Sequence, residues 1–262
     1  MTERHNDVVY EVDEHVAYLT IDRPERRNAM STGVASELVR RFSEASIDDD
    51  IWAVVLTGAD DKAFCAGADL KEFDELARQG KQIPVPMTGA ERNVYETITE
   101  TYKPTIAVIN GPVLAGGCEL ALACDLRIAA DHAVIGMPEA KRGMGANFAT
   151  VLLPRLIPRA VALEMLYTGE PLSAEEALKW GLYNRVVPSA DLRDAAEKLV
   201  RSVVANAPLT LRRYKEMVTK GWELPVHSAL RLSVGPNPYL SQDREEGIRA
   251  FLEKRPPNWQ GR

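Results

Sequence analysis

The sequence predicts an α/β fold with a helical C-terminal region, and three observations predict it. Residues 51–58 and 105–111 are continuous apolar runs of strand length ending at glycine, the pattern of strands buried on both faces of a parallel sheet. Segments with apolar residues at helical spacing alternate with such runs, as they do where a helix crosses between parallel strands. Beyond about residue 173 amphipathic helices dominate. A chain of 262 residues with 45% hydrophobic content can bury one large core, and the change of pattern divides it into a core over residues 1–190 and a helical region over residues 191–262.

Taken in order, residues 8–13 and 16–21 flank Glu14 and His15 as a hairpin entering the sheet. A polar loop over 23–28 follows, then a helix over 31–46 with Val34, Leu38, Phe42 and Ala45 on one face. The strand at 51–58 runs into a loop of small residues over 62–71, where Asp69 can cap a following helix. Residues 80–90 hold Pro84, Pro86 and Gly89 without a period, which reads as an irregular loop or a lid. A helix resumes near Glu91 with Val94 and Ile98 inward, Lys103 and Pro104 stop it, and the strand at 105–111 leads to a glycine-led turn. Residues 116–124 continue as a helix that is apolar all round and therefore buried. Short strands over 125–130 and 133–136 follow. Ser173 and Glu176 form a capping box for a helix that closes at Gly181, and further helices cover 192–203, 210–220 and 244–254. Pro256 and Pro257 stiffen a surface tail.

Bulk properties exclude several classes of function. A formal charge of -6 and a sequence pI near 5.4 give no basic surface on average, which argues against nucleic acid and anionic membrane as main partners. Cys65, Cys118 and Cys124 have neither disulfide nor metal-ligand spacing and read as small buried hydrophobes in a reducing compartment. The first residues hold no apolar signal region and no stretch is long enough to span a bilayer, so a soluble cytoplasmic protein without a metal is expected.

One residue is out of place in the buried helix. Glu119 stands in its first turn among Leu, Ala and Cys, where burying an ionised carboxylate costs several kcal/mol unless it is paired or its pKa rises. Either Glu119 is a functional group beside a helix start that favours negative charge, or it is a first-turn charge reaching solvent. Glu139 follows an apolar strand and Pro138, twenty positions further on. It is either a second carboxylate converging on the first from a strand end, or an ordinary first-turn residue.

Three ordered motifs carry a resemblance: Phe64 to Leu70 (FCAGADL), Asn110 to Glu119 (NGPVLAGGCE) and Pro138-Glu139. At this spacing the chain resembles the crotonase superfamily, and within it the enoyl-CoA hydratases most. The similarity extends to Arg23-Pro24 with Asn28, to Thr168-Gly169 with Ala174 to Gly181, and to Phe251 to Arg255. It implies a crotonase-like spiral core of ββα turns and a C-terminal helical region that mediates trimerisation, commonly into a dimer of trimers.

It also implies an acyl-CoA thioester substrate, with coenzyme A as part of that substrate and no separate cofactor. The thioester oxygen would lie in an oxyanion hole made by the N–H groups of Ala68 and Gly116. Glu119 would activate water for attack at C3 of a trans-2-enoyl-CoA, and Glu139 would give the proton to C2. The CoA would pass the backbone of Ala66, Asp69, Leu70 and Lys71, with Arg26 near the nucleotide end and Lys254 near phosphates, the latter from a neighbouring subunit. His5, His15, His132 and His227 fall outside these motifs and read as surface or structural residues.

The chain departs from the hydratase pattern after Glu139, where it reads Gly143-Met144-Gly145-Ala146-Asn147-Phe148. Asn147 can hydrogen-bond a polar acyl group and Phe148 can narrow the site, or the two are a helix-start residue and a core aromatic. Isomerisation, decarboxylation or racemisation of an acyl-CoA would use the same oxyanion hole, and a non-catalytic acyl-CoA-binding protein would keep the fold alone. Retention of both glutamates favours hydration.

Overall fold

The computed structural model describes residues 2–81, 87 and 92–262. The irregular stretch around Pro84, Pro86 and Gly89 lies outside these residues, as does Glu91, and the helix expected near it begins at Val94. Among the described residues the strands are β1 (Thr2–His5), β2 (Val8–Asp13), β3 (Val16–Ile21), β4 (Ala53–Gly58), β5 (Thr105–Ile109), β6 (Val113–Leu114), β7 (Leu126–Ala130), β8 (Val134–Gly136), β9 (Leu172–Ser173) and β10 (Arg185–Val187). The α-helices of the first half are α1 (Thr32–Ile47), α2 (Leu70–Arg78), α3 (Val94–Thr99) and α4 (Gly116–Ala123). Those of the second half are α5 (Asn147–Leu156), α6 (Arg159–Thr168), α7 (Ala174–Lys179), α8 (Leu192–Val204), α9 (Pro208–Gly221), α10 (Val226–Ala229) and α11 (Gln242–Glu253).

Seven strands form one sheet in the order β1-β2-β3-β4-β5-β7-β10. The hairpin pairs are antiparallel, and every pairing from β3 onward is parallel. Residues 53–56 of β4 are buried on both faces because helices cover both sides of the sheet. On one side Val34, Leu38, Phe42 and Ala45 of α1 pack with Leu19, Leu56, Ala107 and α4 into the main core. On the other, Leu192, Ala196, Leu199 and Val200 of α8 pack on Val16, Val55, Ile106 and Ile128.

β1 has no apolar alternation and is held instead by side chains. Glu3 pairs with Arg41, and His5 Nδ1 lies 2.9 Å from Glu37 Oε2, so charges on the flank of α1 clasp the edge strand. Further along, Lys215 of α9 sends a buried Nζ to Asp125 Oδ2 at 2.9 Å, to Lys103 O at 3.1 Å and to Thr105 Oγ1 at 3.2 Å. The C-terminal helices are thereby fastened to the start of β5.

A second, three-stranded sheet runs β6-β8-β9. β6 and β8 are parallel, with Val113 opposite Ile135 and Leu114 opposite Gly136. Parallel strands release their chains at the same end. β6 continues into α4 and β8 into a 3₁₀ turn over Pro138–Arg142, so one short pairing delivers both following segments to one place. The α/β expectation is met, with helices alternating with the parallel strands of the large sheet and further helices following them.

Candidate active site

Loop 59–69 reaches the site through two buried asparagines. Asn28 Nδ2 donates to Ala59 O at 2.9 Å and Ala63 O at 2.7 Å, while Asn110 Nδ2 donates to Gly58 O at 2.9 Å. Leu114 N then donates to Cys65 O at 3.1 Å, Met30 N to Gly67 O at 2.7 Å and Asp69 N to Met30 O at 3.0 Å. A side chain at Gly117 would run into the Cys65 carbonyl, so glycine there lets α4 lie directly on this loop. Gly67, at φ 96°, makes the matching approach, and a Cβ on it would stand 2.6 Å from Ala115 Cβ.

Ala115 has φ 55° and ψ -129°, a left-handed backbone unfavourable for a residue with a Cβ, at a cost of about 1–3 kcal/mol. It is pinned from both sides: its N–H donates to Gly136 O at 2.9 Å, and its carbonyl accepts from Glu119 N at 3.1 Å. The turn sets Gly116 beside Ala68, such that a Cβ on Gly116 would lie 3.9 Å from Ala68 N. Among the described residues neither the Ala68 nor the Gly116 N–H has an acceptor. Two adjacent free donors, one at a helix start, make a receptor for a developing negative charge on oxygen.

Glu119 is 6% exposed. Its Oε1 accepts from Ala149 N at 2.9 Å, at the start of α5. Burial pushes its carboxyl above the usual carboxylate range, while the Ala149 N–H, the Tyr95 hydroxyl and the Phe148 N–H oppose that rise. Glu139 is 8% exposed in the 3₁₀ turn, and its Oε2 is buried without a donor among the described residues. Burial first, and then the charge of Glu119, push its carboxyl up to about 7, with Arg142 and the Glu139 N–H opposing. Glu139 senses the charge of Glu119, and the surroundings of the two differ.

Glu119 and Glu139, expected either as converging carboxylates or as ordinary first-turn charges, are both buried, one at the start of α4 and the other in the turn after β8. Not legible in the sequence are Tyr95, a 7% exposed side chain of α3 whose ring stacks on Phe148 at 5.4 Å between centroids, Ala115 and the Ala149 N–H. An aromatic beside the inward Val94 in a short helix was the available signal for Tyr95, and nothing in one sequence marks its neighbour on α4. Asn147 begins α5 and is exposed, whereas Phe148 packs against the core.

The residues expected along the CoA divide. Ala66 is half-buried and its N–H donates to Arg27 O at 3.1 Å. Asp69 has its carboxylate occupied by Lys71 N at 3.1 Å, Glu72 N at 3.3 Å and Arg23 Nη2 at 2.9 Å, and its carbonyl accepts from Phe73 N at 3.1 Å, so its own polar groups are engaged within the protein. Leu70 and Lys71 are exposed at the start of α2, Arg26 is half-buried in the turn after Pro24, and Lys254 is exposed in left-handed backbone at the end of α11. The three cysteines are buried and free, with thiols pushed up by burial, so they are inert packing. A groove of about 940 Å³ lies elsewhere, between Tyr18, Val55 and Val108 of the sheet and Leu192 and Val200 of α8.

No helix among the described residues is long and apolar enough to cross a membrane. The family model described as enoyl-CoA hydratase/isomerase matches residues 11–262. The (E)-benzylidenesuccinyl-CoA hydratase of Thauera aromatica is 38% identical over 97% of this chain and 99% of its own. The carnitinyl-CoA dehydratase of Escherichia coli K12 is 39% identical over 93% and 94%. Among solved structures, the enoyl-CoA hydratase of Mycobacterium marinum superposes with a TM-score of 0.87 at 35% identity, covering 98% of this chain and all of the other. The chain therefore belongs to the enoyl-CoA hydratase/isomerase family, the crotonases.

Proposed function

We propose that the protein is a hydro-lyase that adds water across the 2,3 double bond of a trans-2-enoyl-CoA. The observation that carries this reading is the pair of buried carboxylates in unequal surroundings beside two free backbone donors. Glu119, whose Oε1 accepts from the Ala149 N–H, is suited to stay ionised and take a proton from water, whose oxygen bonds to C3. The π electrons of the double bond move toward the thioester, and the oxygen that gains charge rests on the Ala68 and Gly116 N–H groups. Glu139, whose buried Oε2 has no donor among the described residues, is suited to hold a proton near neutral pH and give it to C2. The proton on Glu119 returns to Glu139 through solvent, and one water has been added. The same groups run the reverse reaction, which is the direction in the name of the carnitinyl-CoA relative.

In this reading the thioester's CoA runs along the backbone from Ala66 to Lys71, with Arg26 and Lys254 meeting its phosphates. The C-terminal region, residues 191–262, carries self-association into a trimer or a dimer of trimers. Its support is the run of exposed apolar side chains Val218, Trp222, Leu230, Leu240, Phe251 and Leu252, more than a monomer leaves to water in one region. The acyl group is not fixed by family, since the named relatives differ in it. Incubation with a panel of 2-enoyl-CoA esters, followed by mass spectrometry, tests the reaction: gain of one water supports hydration, whereas loss of CO₂ or an unchanged mass with a moved double bond would put another crotonase reaction in its place.

A further inference from the structure

The tip of Met30 reaches the two oxyanion donors. Met30 and Ala68 are partners in a parallel bridge, in which Met30 N donates to Gly67 O at 2.7 Å and the Met30 carbonyl accepts from Asp69 N at 3.0 Å. Such a pairing turns the Ala68 N–H away from Met30 and puts the two side chains on one side. The Met30 side chain then runs to Gly116: a Cβ built on that glycine would stand 3.3 Å from Met30 Cε and 3.9 Å from Ala68 N. Met30 is half-buried and its backbone is pinned, while its unbranched side chain leaves the thioether free to turn at its tip. Cys65, in the same loop region, is fully buried with its thiol pushed up to about 11, so the sulfur that a dissolved oxidant reaches here is that of Met30.

We propose that Met30 is an oxidation site whose sulfoxide oxygen plugs the oxyanion hole, taking the Ala68 and Gly116 N–H groups in place of a thioester. The inference rests on the reading of those two donors as the site of the substrate oxygen. The oxidant is a peroxide: its O–O bond breaks, one oxygen forms an S–O bond with Sδ, sulfur gives up two electrons, and the other oxygen leaves in water or an alcohol. A thioether is a weak acceptor, whereas a sulfoxide is polar and its oxygen accepts hydrogen bonds well. Sδ is one bond from the methyl that already lies at Gly116, so an oxygen on it comes within reach of two N–H groups that have no acceptor among the described residues. The plug is tethered and acts as an intramolecular competitor. Two hydrogen bonds of ordinary net strength hold it in place about 10-fold over release, and the apparent affinity for substrate falls by the same factor.

The test treats the parent and Met30→Leu with hydrogen peroxide, maps methionine oxidation by peptide mass spectrometry, and measures by calorimetry the binding of butyryl-CoA, a saturated ester that cannot be hydrated. Met87 and Met144, 45% and 42% exposed, are open to peroxide in both proteins, so Met30→Leu separates their effect from that of Met30. The expected result is a Kd for butyryl-CoA that rises about 10-fold in step with sulfoxide at Met30, while oxidised Met30→Leu binds as its own untreated form does. On crotonyl-CoA the apparent KM rises by the same factor and kcat falls less than about threefold, whereas a merely distorted site would lose kcat. Met30→Gln carries a carbonyl oxygen on the atom that replaces Sδ and is expected to raise the Kd without peroxide. Three results each overturn the proposal: Met30 that stays reduced while Met144 is converted, a parent oxidised at Met30 that binds as before, or an equal loss in Met30→Leu. A further arm needs no acyl-CoA. The amide proton signals of Ala68 and Gly116 are expected to move downfield on oxidation of Met30, and unmoved signals overturn the proposal as well. A parent that binds no butyryl-CoA therefore refutes the acyl-CoA reading, while the amide signals still decide whether Met30 plugs the donors.

Discussion

Glu119 accepts a hydrogen bond from the Ala149 N–H at 2.9 Å, whereas Glu139, equally hidden, has a buried Oε2 with no donor among the described residues. The asymmetry predicts a bell-shaped dependence of kcat/KM on pH. The rising limb follows ionisation of Glu119, and the falling limb follows loss of the proton from Glu139 near pH 7. The same shift acts on stability. Glu139 goes from 4.5 to about 7 on folding, so its contribution is full below about pH 4.5 and is lost as pH rises through 7, up to about 3 kcal/mol. Glu139→Gln removes that loss and is expected to melt a few degrees higher than the parent at pH 8 and little differently at pH 5, by scanning calorimetry.

Gly116 and Gly117 are adjacent yet predict opposite outcomes. A methyl group at Gly117 meets the Cys65 backbone, which cannot move without separating α4 from the loop, so Gly117→Ala is expected to cost more than about 3 kcal/mol and to yield little folded protein. A methyl group at Gly116 meets the tips of two side chains, the Tyr95 hydroxyl and Met30 Cε, rather than backbone. Gly116→Ala is expected to unfold within about 1 kcal/mol of the parent while kcat drops by about 10²-fold, because the displaced groups surround the oxyanion donors. Urea unfolding beside turnover separates the two.

Arg23 anchors the loop that carries Ala68. Its Nη2 meets Asp69 Oδ2 at 2.9 Å, its Nε meets Asp7 Oδ2 at 3.1 Å and its Nη1 donates to Ala29 O at 2.7 Å. Burial opposes ionisation of Asp69, yet Arg23 and the N–H groups of α2 hold its carboxyl below the usual range. Asp69→Ala therefore removes a helix cap and strands a buried guanidinium, an expected loss of about 2–4 kcal/mol at pH 7. Because the Asp69 pKa is lowered on folding, the parent's advantage over Asp69→Ala shrinks as pH falls below the ordinary carboxylate range. Equal stabilities at pH 7 would contradict this account.

The exposed apolar face of the last helices predicts self-association. Phe251 is 82% and Leu240 85% exposed in the single chain. Sedimentation equilibrium is expected to give about 87 kDa, three chains of 29.0 kDa, or twice that, and Phe251→Glu with Leu252→Glu is expected to shift the mass toward one chain. A parent that sediments as a single chain at micromolar concentration would contradict it.

The central strands were legible in the sequence because burial on both faces leaves uninterrupted apolar runs, as in residues 53–56. α1 was legible to its cap, since Ser31 Oγ accepts from Val34 N at 3.1 Å where the apolar period begins. β6, β9 and β10 were not, because strands of two or three residues carry no period and exist only through pairing with β8 and β7. α5 and α6 were covered only by a general expectation of helix, with Pro154 inside α5 obscuring the pattern. At the site, a carboxylate inside an apolar helix announced Glu119 from the chain alone. Tyr95 could not be found that way, because its place beside Gly116 depends on α3 packing against α4.

The most direct measurement is loss of the conjugated enoyl-thioester absorbance of crotonyl-CoA, followed with the parent, Glu119→Ala, Glu139→Ala and the double variant, each shown to be folded. The account predicts turnover by the parent, a fall of about 10² to 10⁴ in kcat for either single change, and a double variant scarcely worse than the singles, because the two carboxylates act as a unit. A single variant that keeps the parent's rate, with the hydrated product formed, would contradict the two-glutamate mechanism.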